Sequence, residues 1–157
     1  MGDGRVLPLA RTALVGVVAV AAVACSGGPD FGAARVVIRG SSGPVAVRAA
    51  LAATEAARER GLMGLSAVPA DGGMVFLFSG PTTRGFWMKD TKVALSAAFW
   101  DRSDRIVAIL DMVPCRGDPC PVYWPRHAYV GALEVNMGFF ARHAVHVGDA
   151  VEITRKG

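Results

Sequence analysis

The segment GFWMKDT, Gly85 to Thr91, brings an indole and an ammonium close together in the chain. Side chains alternate in an extended strand, so Trp87 and Lys89 share one face and Phe86 and Met88 the other. A flat apolar platform beside a cation suits a ligand. The same alternation also suits plain architecture, with Phe86 and Met88 in the core, Trp87 packed under a loop and Lys89 solvated. Asp90 follows directly. The second candidate is Glu134, in mid-strand in YVGALEVNMG. A carboxylate among apolar neighbours is costly unless it is paired; Lys89, Arg60 or a pair of backbone N–H groups could supply the partner. Facing a pocket, it becomes an acid/base group, its pKa raised by burial and lowered by any nearby cation. Otherwise it belongs to a structural ion pair or to an outward strand position. Trp87, Lys89, Asp90, Arg60 and Glu134 are therefore the candidate ligand-binding residues, and no catalytic set is assigned.

Other chemistry-bearing residues form weaker patterns. Paired-carboxylate hydrolysis needs a second acid at a fixed separation from the first; Asp90 and Asp111 are available, but no spacing selects them. Ser79, Ser96, His127 and Asp149 supply the residue types of a triad without a G-x-S-x-G elbow. His143 and His146 have H-x-x-H spacing in a segment turning from helix to strand, so neither a metal nor a cofactor is expected. Cys115 and Cys120 lie in MVPCRGDPCPVYWP, a loop set by prolines. Outside the cytoplasm a disulfide is the natural expectation for this pair.

The elements that must position these residues are mostly short strands. RVVI (35–38), VAVRAAL (45–51), MVFLF (74–78), FWM (86–88), LSAAFW (95–100), IVAILDMV (106–113), AYVGALEV (128–135) and the closing VEIT are separated by turn residues. Residues 95–100 and 106–113 have the relation of a hairpin. Asp71-Gly72-Gly73 has the composition of a turn. One early helix is expected over 55–60, capped by Thr54 and stopped at Gly61; residues 137–143 allow a second short turn of helix. About eight short strands with one or two helices predict a mainly β fold, a small antiparallel barrel or sandwich.

The N-terminus reports on location. Arg5 and Arg11 precede an uncharged apolar run from Thr12 to Ala24, shorter than the roughly 20 residues a spanning helix needs. It fits the apolar core of a secretory signal, residues 1–24. The run ends in Ala22-Val23-Ala24-Cys25, similar to a bacterial lipobox, which implies lipidation of Cys25 and a place on the extracytoplasmic face of the cell membrane. Residues 25–34, rich in Gly, Ser and Pro, form a flexible tether, and 35–157 form one domain. Without Arg5, Arg11 and Asp3 the formal charge falls from +4 to +3. The basic residues Arg48, Arg84, Arg102 and Arg126 are scattered, so no nucleic-acid partner is expected.

ERGLM (59–63), GMVFLF (73–78), FWMKDT (86–91), PCRGDPCPVY (114–123), ALEVNMG (132–138) and VGD (147–149), in this order and spacing, resemble the bacterial and archaeal family catalogued as domain of unknown function 192. The resemblance implies a compact, mainly β domain, often exported, and brings no established activity. The family usually has a bulky residue and an Arg after GLM, where this chain has Gly64 and Leu65. It usually has Pro-Leu-Asp where Ala94-Leu95-Ser96 stands, and Asn in place of Asp90. The resemblance thus implies that a basic group and an acid, which could have paired or touched a ligand, are both missing. The expected function is binding of a small molecule or a partner protein at the envelope. The alternatives are a hydrolase-type enzyme using Glu134 and an accessory subunit of an envelope complex.

Overall fold

The structure is a computed structural model that describes residue 1 and residues 29–156. The expected secretory signal after residue 1, and residues 25–28 of the expected tether with Cys25, lie outside the described residues. Nine strands and two short helices are described: β1 (Ala34–Gly40), β2 (Gly43–Ala52), α1 (Glu55–Arg60), β3 (Gly72–Thr82), β4 (Phe86–Trp87), β5 (Leu95–Trp100), β6 (Ile106–Met112), β7 (Val122–Tyr123), β8 (Tyr129–Asn136), α2 (Phe139–Arg142) and β9 (Ala150–Arg155). The fold is mainly β, as the alternating apolar runs predict. Thr54 caps α1 by accepting from the Ala57 N–H at 3.2 Å, and Gly61 ends it at a φ of +48°, a conformation for which glycine carries no Cβ penalty.

Seven strands form one sheet in the order β6-β5-β8-β3-β2-β1-β9, and β4 pairs with β7 in a second, two-stranded sheet. All pairings are antiparallel except β2–β3, which run parallel with α1 in the crossover between them. β5 and β6 form the expected hairpin. The two edges of the large sheet meet at one end. Arg105 bridges Ala150, and Gly148 donates its N–H to the Ile106 carbonyl at 2.8 Å. The sheet therefore curls into a half-barrel.

Each face of the curled sheet buries its own core. Inside the curl, residues of all seven strands meet, among them Val36, Val47, Val75, Leu133, Ala98, Ile106 and Val151, and Phe139 and Phe140 of α2 plug the open end. On the outer side Met74, Phe76, Leu95, Ala97, Phe99 and Ala132 are covered by Leu62, Val68, Met88 and Tyr129, with the small sheet laid over them through Phe86 and Tyr123. The functional candidates belong to this outer core.

Cys115 and Cys120 form the expected disulfide. It closes a ring of only six residues, so its effect is confined to the loop that leads into β7. Replacing both cysteines with Ala is expected to lower stability by about 2 kcal/mol on the loop-entropy scale. Chemical denaturation of the variant beside the oxidised wild type measures this, and a loss above twice that size would show that the loop braces more than itself.

Candidate functional site

A cleft of about 240 Å³ opens over the outer core, lined on one side by α1 and Gly61–Met63 and on the other by Arg84–Trp87. Strand register decides what lies at its floor. Glu134 on β8 stands opposite Met74 of β3 and Ala97 of β5, both outer-core residues. The carboxyl therefore points into that apolar layer and reaches the cleft. It is 5% exposed. Burial alone pushes it up to about 8, and neither a cation nor a hydrogen bond among the described residues offsets this. Among the described residues the structural ion pair offered as one account of this acid is absent: neither Arg60 nor Lys89 forms a salt bridge with it, and the side chains opposite it, Met74 and Ala97, have no donors to give.

Most other buried polar groups of the cleft are engaged, although the buried Arg58 Nε has no partner and the exposed Glu59 and Arg60 side chains make no hydrogen bond among the described residues. Arg58 donates through Nη1 to the carbonyls of Ala53 and Leu77, both at 2.8 Å, and through Nη2 to Glu55 at 2.8 Å. Its guanidinium lies 5.0 Å over the Phe78 ring, pinning α1 to the end of β3. Arg84 donates to the other Glu55 oxygen at 2.6 Å. The hydrogen bonds from Arg58 and Arg84 hold Glu55 below the usual carboxylate range. The Tyr129 hydroxyl donates to the Arg84 carbonyl at 2.7 Å, and burial pushes its pKa up to about 12. Thr91 donates to the Lys89 carbonyl at 3.2 Å. The walls between these groups are aromatic. Phe86 meets Phe76 and Phe99 edge-on at 5.1 Å each, and Phe99 meets Tyr129 at 4.9 Å.

Of the residues singled out in the sequence, the structure brings three to this cleft: Glu134 at the floor, Trp87 at the rim (49% exposed) and Arg60 at the mouth. Trp87 and Lys89 do share a side, with the Lys89 ammonium 5.5 Å from the indole centre, and Met88 is buried on the other. Lys89 and Asp90, however, are absent from the cleft lining. The physical reason lies in the backbone. β4 ends at Trp87, and the chain then turns through Asp90 at a φ of +53°, whose carbonyl accepts the Gly64 N–H at 2.9 Å. Asp90 thereby holds the turn in place. Asp111 stands opposite Ser96 on the other face of the sheet and bonds its hydroxyl, so it does not pair with Glu134. Ser96 also accepts the Gly138 N–H at 2.9 Å, whereas Leu65 packs on the outer core. Positions 65 and 96 thus fall on opposite faces of the sheet and cannot pair across it. Among the described residues no cluster of three or more His, Cys, Asp or Glu is placed to hold a metal.

Sequence inspection passed over Arg58, Arg84, Phe86 and Tyr129 as site residues. Arg58 had a local signal, its i,i+3 spacing from Glu55 on a capped helix. Arg84 and Tyr129 had none, because only tertiary packing brings them to α1.

A half-barrel whose buried acid has no partner among the described residues and lies beneath an aromatic cleft defines a small β domain with an outer-face pocket. The chain belongs to the DUF192 family, described as uncharacterized ACR, whose model matches residues 36–153. It is similar to a protein of unknown function from Novosphingobium aromaticivorans, with 31% identity over 75% of this chain and 83% of that one and a TM-score of 0.70. It is also similar to a candidate transcription regulator from Sinorhizobium meliloti, with 29% identity over 80% of this chain and 97% of that one and a TM-score of 0.72. No curated protein matches the chain significantly.

Proposed function

We propose that this domain binds a small molecule in the Glu134 cleft and is held on the extracytoplasmic face of the cell membrane by a lipid on Cys25. One observation carries the binding reading: the Glu134 carboxyl is buried at the floor of a cleft with no hydrogen-bond partner among the described residues. Buried polar groups in folded proteins are matched by protein or by water, and an acid that the protein leaves unmatched on a cleft lining takes its partner from solvent or from a ligand that displaces it. The cleft has the aromatic walls and few fixed polar groups that ligand pockets use. The raised acid would also serve an acid/base enzyme, but Tyr129 and Thr91, the neighbouring hydroxyls, already donate to backbone carbonyls. Binding is therefore preferred over catalysis. The regulator description of the Sinorhizobium relative does not favour nucleic acid here, since two of the three cleft arginines are engaged with Glu55.

The test is a ligand-observed NMR screen of small aromatic and aliphatic compounds against the full-length chain in non-ionic detergent. Compounds that bind wild type are expected to lose about tenfold or more in affinity with Glu134→Gln or Trp87→Ala, the usual consequence of leaving a buried polar group or an anchor ring unmatched. Equal binding to wild type and both variants would sink the reading. The anchor is checked separately. Cys25→Ala is expected to move the protein from the membrane fraction to the soluble fraction and to abolish incorporation of labelled palmitate.

Docking on an envelope partner keeps its own observation. Trp87 pairs with Val122 on the small sheet, and these two residues and Trp124 are all exposed. Large apolar side chains gathered at a surface are a mark of protein interfaces.

A further inference from the structure

The hydrogen-bond inventory of the cleft specifies what its ligand must bring. Arg58, Arg84, Tyr129 and Thr91 all donate to acceptors within the protein. Asn136, two residues beyond Glu134 on β8, spends its amide on the carbonyls of Val68 and Pro69 at 2.9 and 3.1 Å. Glu134 is the one buried carboxyl of the cleft and accepts no hydrogen bond among the described residues; Glu59, also without one, lies exposed, and the buried Arg58 Nε is left without an acceptor. β3 and β5 bring only Met74 and Ala97 against it. The partner that an ionised Glu134 lacks is a hydrogen-bond donor, and the rings of Phe76, Phe86, Trp87 and Tyr129 line the same cleft. Aromatic faces attract cations, and a largely buried carboxylate gains most from a donor that also carries charge.

Building on the cleft as a binding site, we propose that its ligand is a small amine, seated with its ammonium on Glu134 and its apolar body among these rings. The volume of about 240 Å³ is room for about eight waters at roughly 30 Å³ each, which limits the ligand to about that number of heavy atoms or a few more. Arg60 at the mouth, with Glu59 beside it, leaves the outer end of the ligand in a mixed-charge setting where a neutral or anionic group is accepted. The inner end is the selective one. A neutral alcohol offers a single ordinary hydrogen bond there, and an anion keeps the acid protonated or, above about pH 8, meets a second negative charge.

Proton accounting separates the amine from any neutral ligand. In the free protein the Glu134 proton is held up to about pH 8. An incoming ammonium converts the acid to carboxylate and displaces that proton to solvent, the ammonium keeping its own. Affinity should therefore rise about tenfold per pH unit between pH 6 and 8 and then level off, until the amine itself deprotonates near pH 10. Of the other titratable groups lining the cleft, Glu55 is held low by Arg58 and Arg84, and Tyr129 is held near 12; neither titrates in that window.

The experiment is titration calorimetry of the full-length chain in non-ionic detergent with phenethylamine, 2-phenylethanol and 3-phenylpropionate, in two buffers of different ionisation enthalpy. Phenethylamine is expected to bind at least tenfold tighter than the alcohol at pH 8 and to release close to one proton per ligand at pH 6.5. The preference should vanish with Glu134→Gln. Binding of the alcohol as tight as that of the amine, or amine binding without proton release, overturns the amine assignment and leaves the binding cleft standing. Failure of all three probes to bind wild type overturns both. The wild-type comparison and the proton count need no variant, so a Glu134→Gln chain that folds poorly does not rescue the proposal.

Discussion

Replacing Glu134 with Gln is expected to make the domain more stable than wild type at pH 8 to 9 and to remove that advantage near pH 5. The sign follows from the two pKa values of the acid. In the unfolded chain the carboxyl titrates at 4.5, and in the folded protein burial raises it to about 8. Below pH 4.5 both states hold the proton, and the acid costs nothing through ionisation. As pH rises from 4.5 to 8 the unfolded chain ionises and the folded protein does not, so wild-type stability declines across this window. Above pH 8 both states are ionised and the loss is complete. At 1.36 kcal/mol per pH unit the interval amounts to about 5 kcal/mol at most. Gln has no proton to lose, so its stability does not follow this slope. At acid pH the variant keeps an unmatched buried amide and is level with wild type or somewhat below it, by about 1–3 kcal/mol. Denaturant titrations of the two proteins at pH 5, 7 and 9 measure the difference directly. Contributions from the salt-bridged acids Asp71 and Glu152, which are held low by Arg48 and Arg39 and act at low pH, cancel in the comparison. Parallel pH profiles for the two proteins would mean that Glu134 is solvated or paired in solution, and the binding reading would fall with it.

That effect also shows how far the sequence could be followed. An acid among apolar strand residues was visible in ALEVNMG, and so was the likelihood that it needed a partner. What could not be seen was that no partner comes from the described residues. Arg60, one residue past the Glu59 of ERGLM, faces the mouth, and Lys89 is carried away by the turn at Asp90. Most strands and both helices were visible because apolar runs, Thr54 and Gly61 act over a few residues. The parallel β2–β3 pairing was not, since nothing local distinguishes a parallel neighbour from an antiparallel one. β7 was hidden as well. It is two residues long and exists only because β4 lies beside it. Arg84 and Tyr129 reach the cleft through contacts 29 and 45 residues apart along the chain, beyond any spacing rule.

The turn expected at Asp71-Gly72-Gly73 lies slightly earlier, ending at Asp71 with the Gly72 N–H donating to the Pro69 carbonyl at 2.9 Å. Both glycines are strand residues, buried at the start of β3, and the reason is steric. Gly73 lies between Ala49 of β2 and Val135 of β8. A Cβ at this position would run into the backbone carbonyl of Glu134 and meet the Val135 side chain at 3.0 Å and that of Val47 at 3.3 Å. The first obstacle is main chain and cannot rotate aside. Gly73→Ala must therefore spread β3 from β8 at the residue that floors the cleft. Overpacking of this kind costs typically 1–3 kcal/mol, and a backbone obstacle places the expected loss at about 3 kcal/mol or more. For a domain of this size that lowers the melting temperature by roughly 10 °C. Gly80, in the same strand, has nothing within 4 Å of an added Cβ, and Gly80→Ala is expected to stay within about 0.5 kcal/mol of wild type. The pair isolates crowding from the general effect of Gly→Ala in a strand. Because Gly73 abuts Glu134 itself, the clash should also move the buried acid. The slope of stability against pH should then flatten in Gly73→Ala and remain intact in Gly80→Ala. Equal melting temperatures for the two variants would show that β3 and β8 are not held as closely as this geometry requires. A destabilised Gly73→Ala that kept the full pH slope would separate the packing of the strands from the environment of the acid.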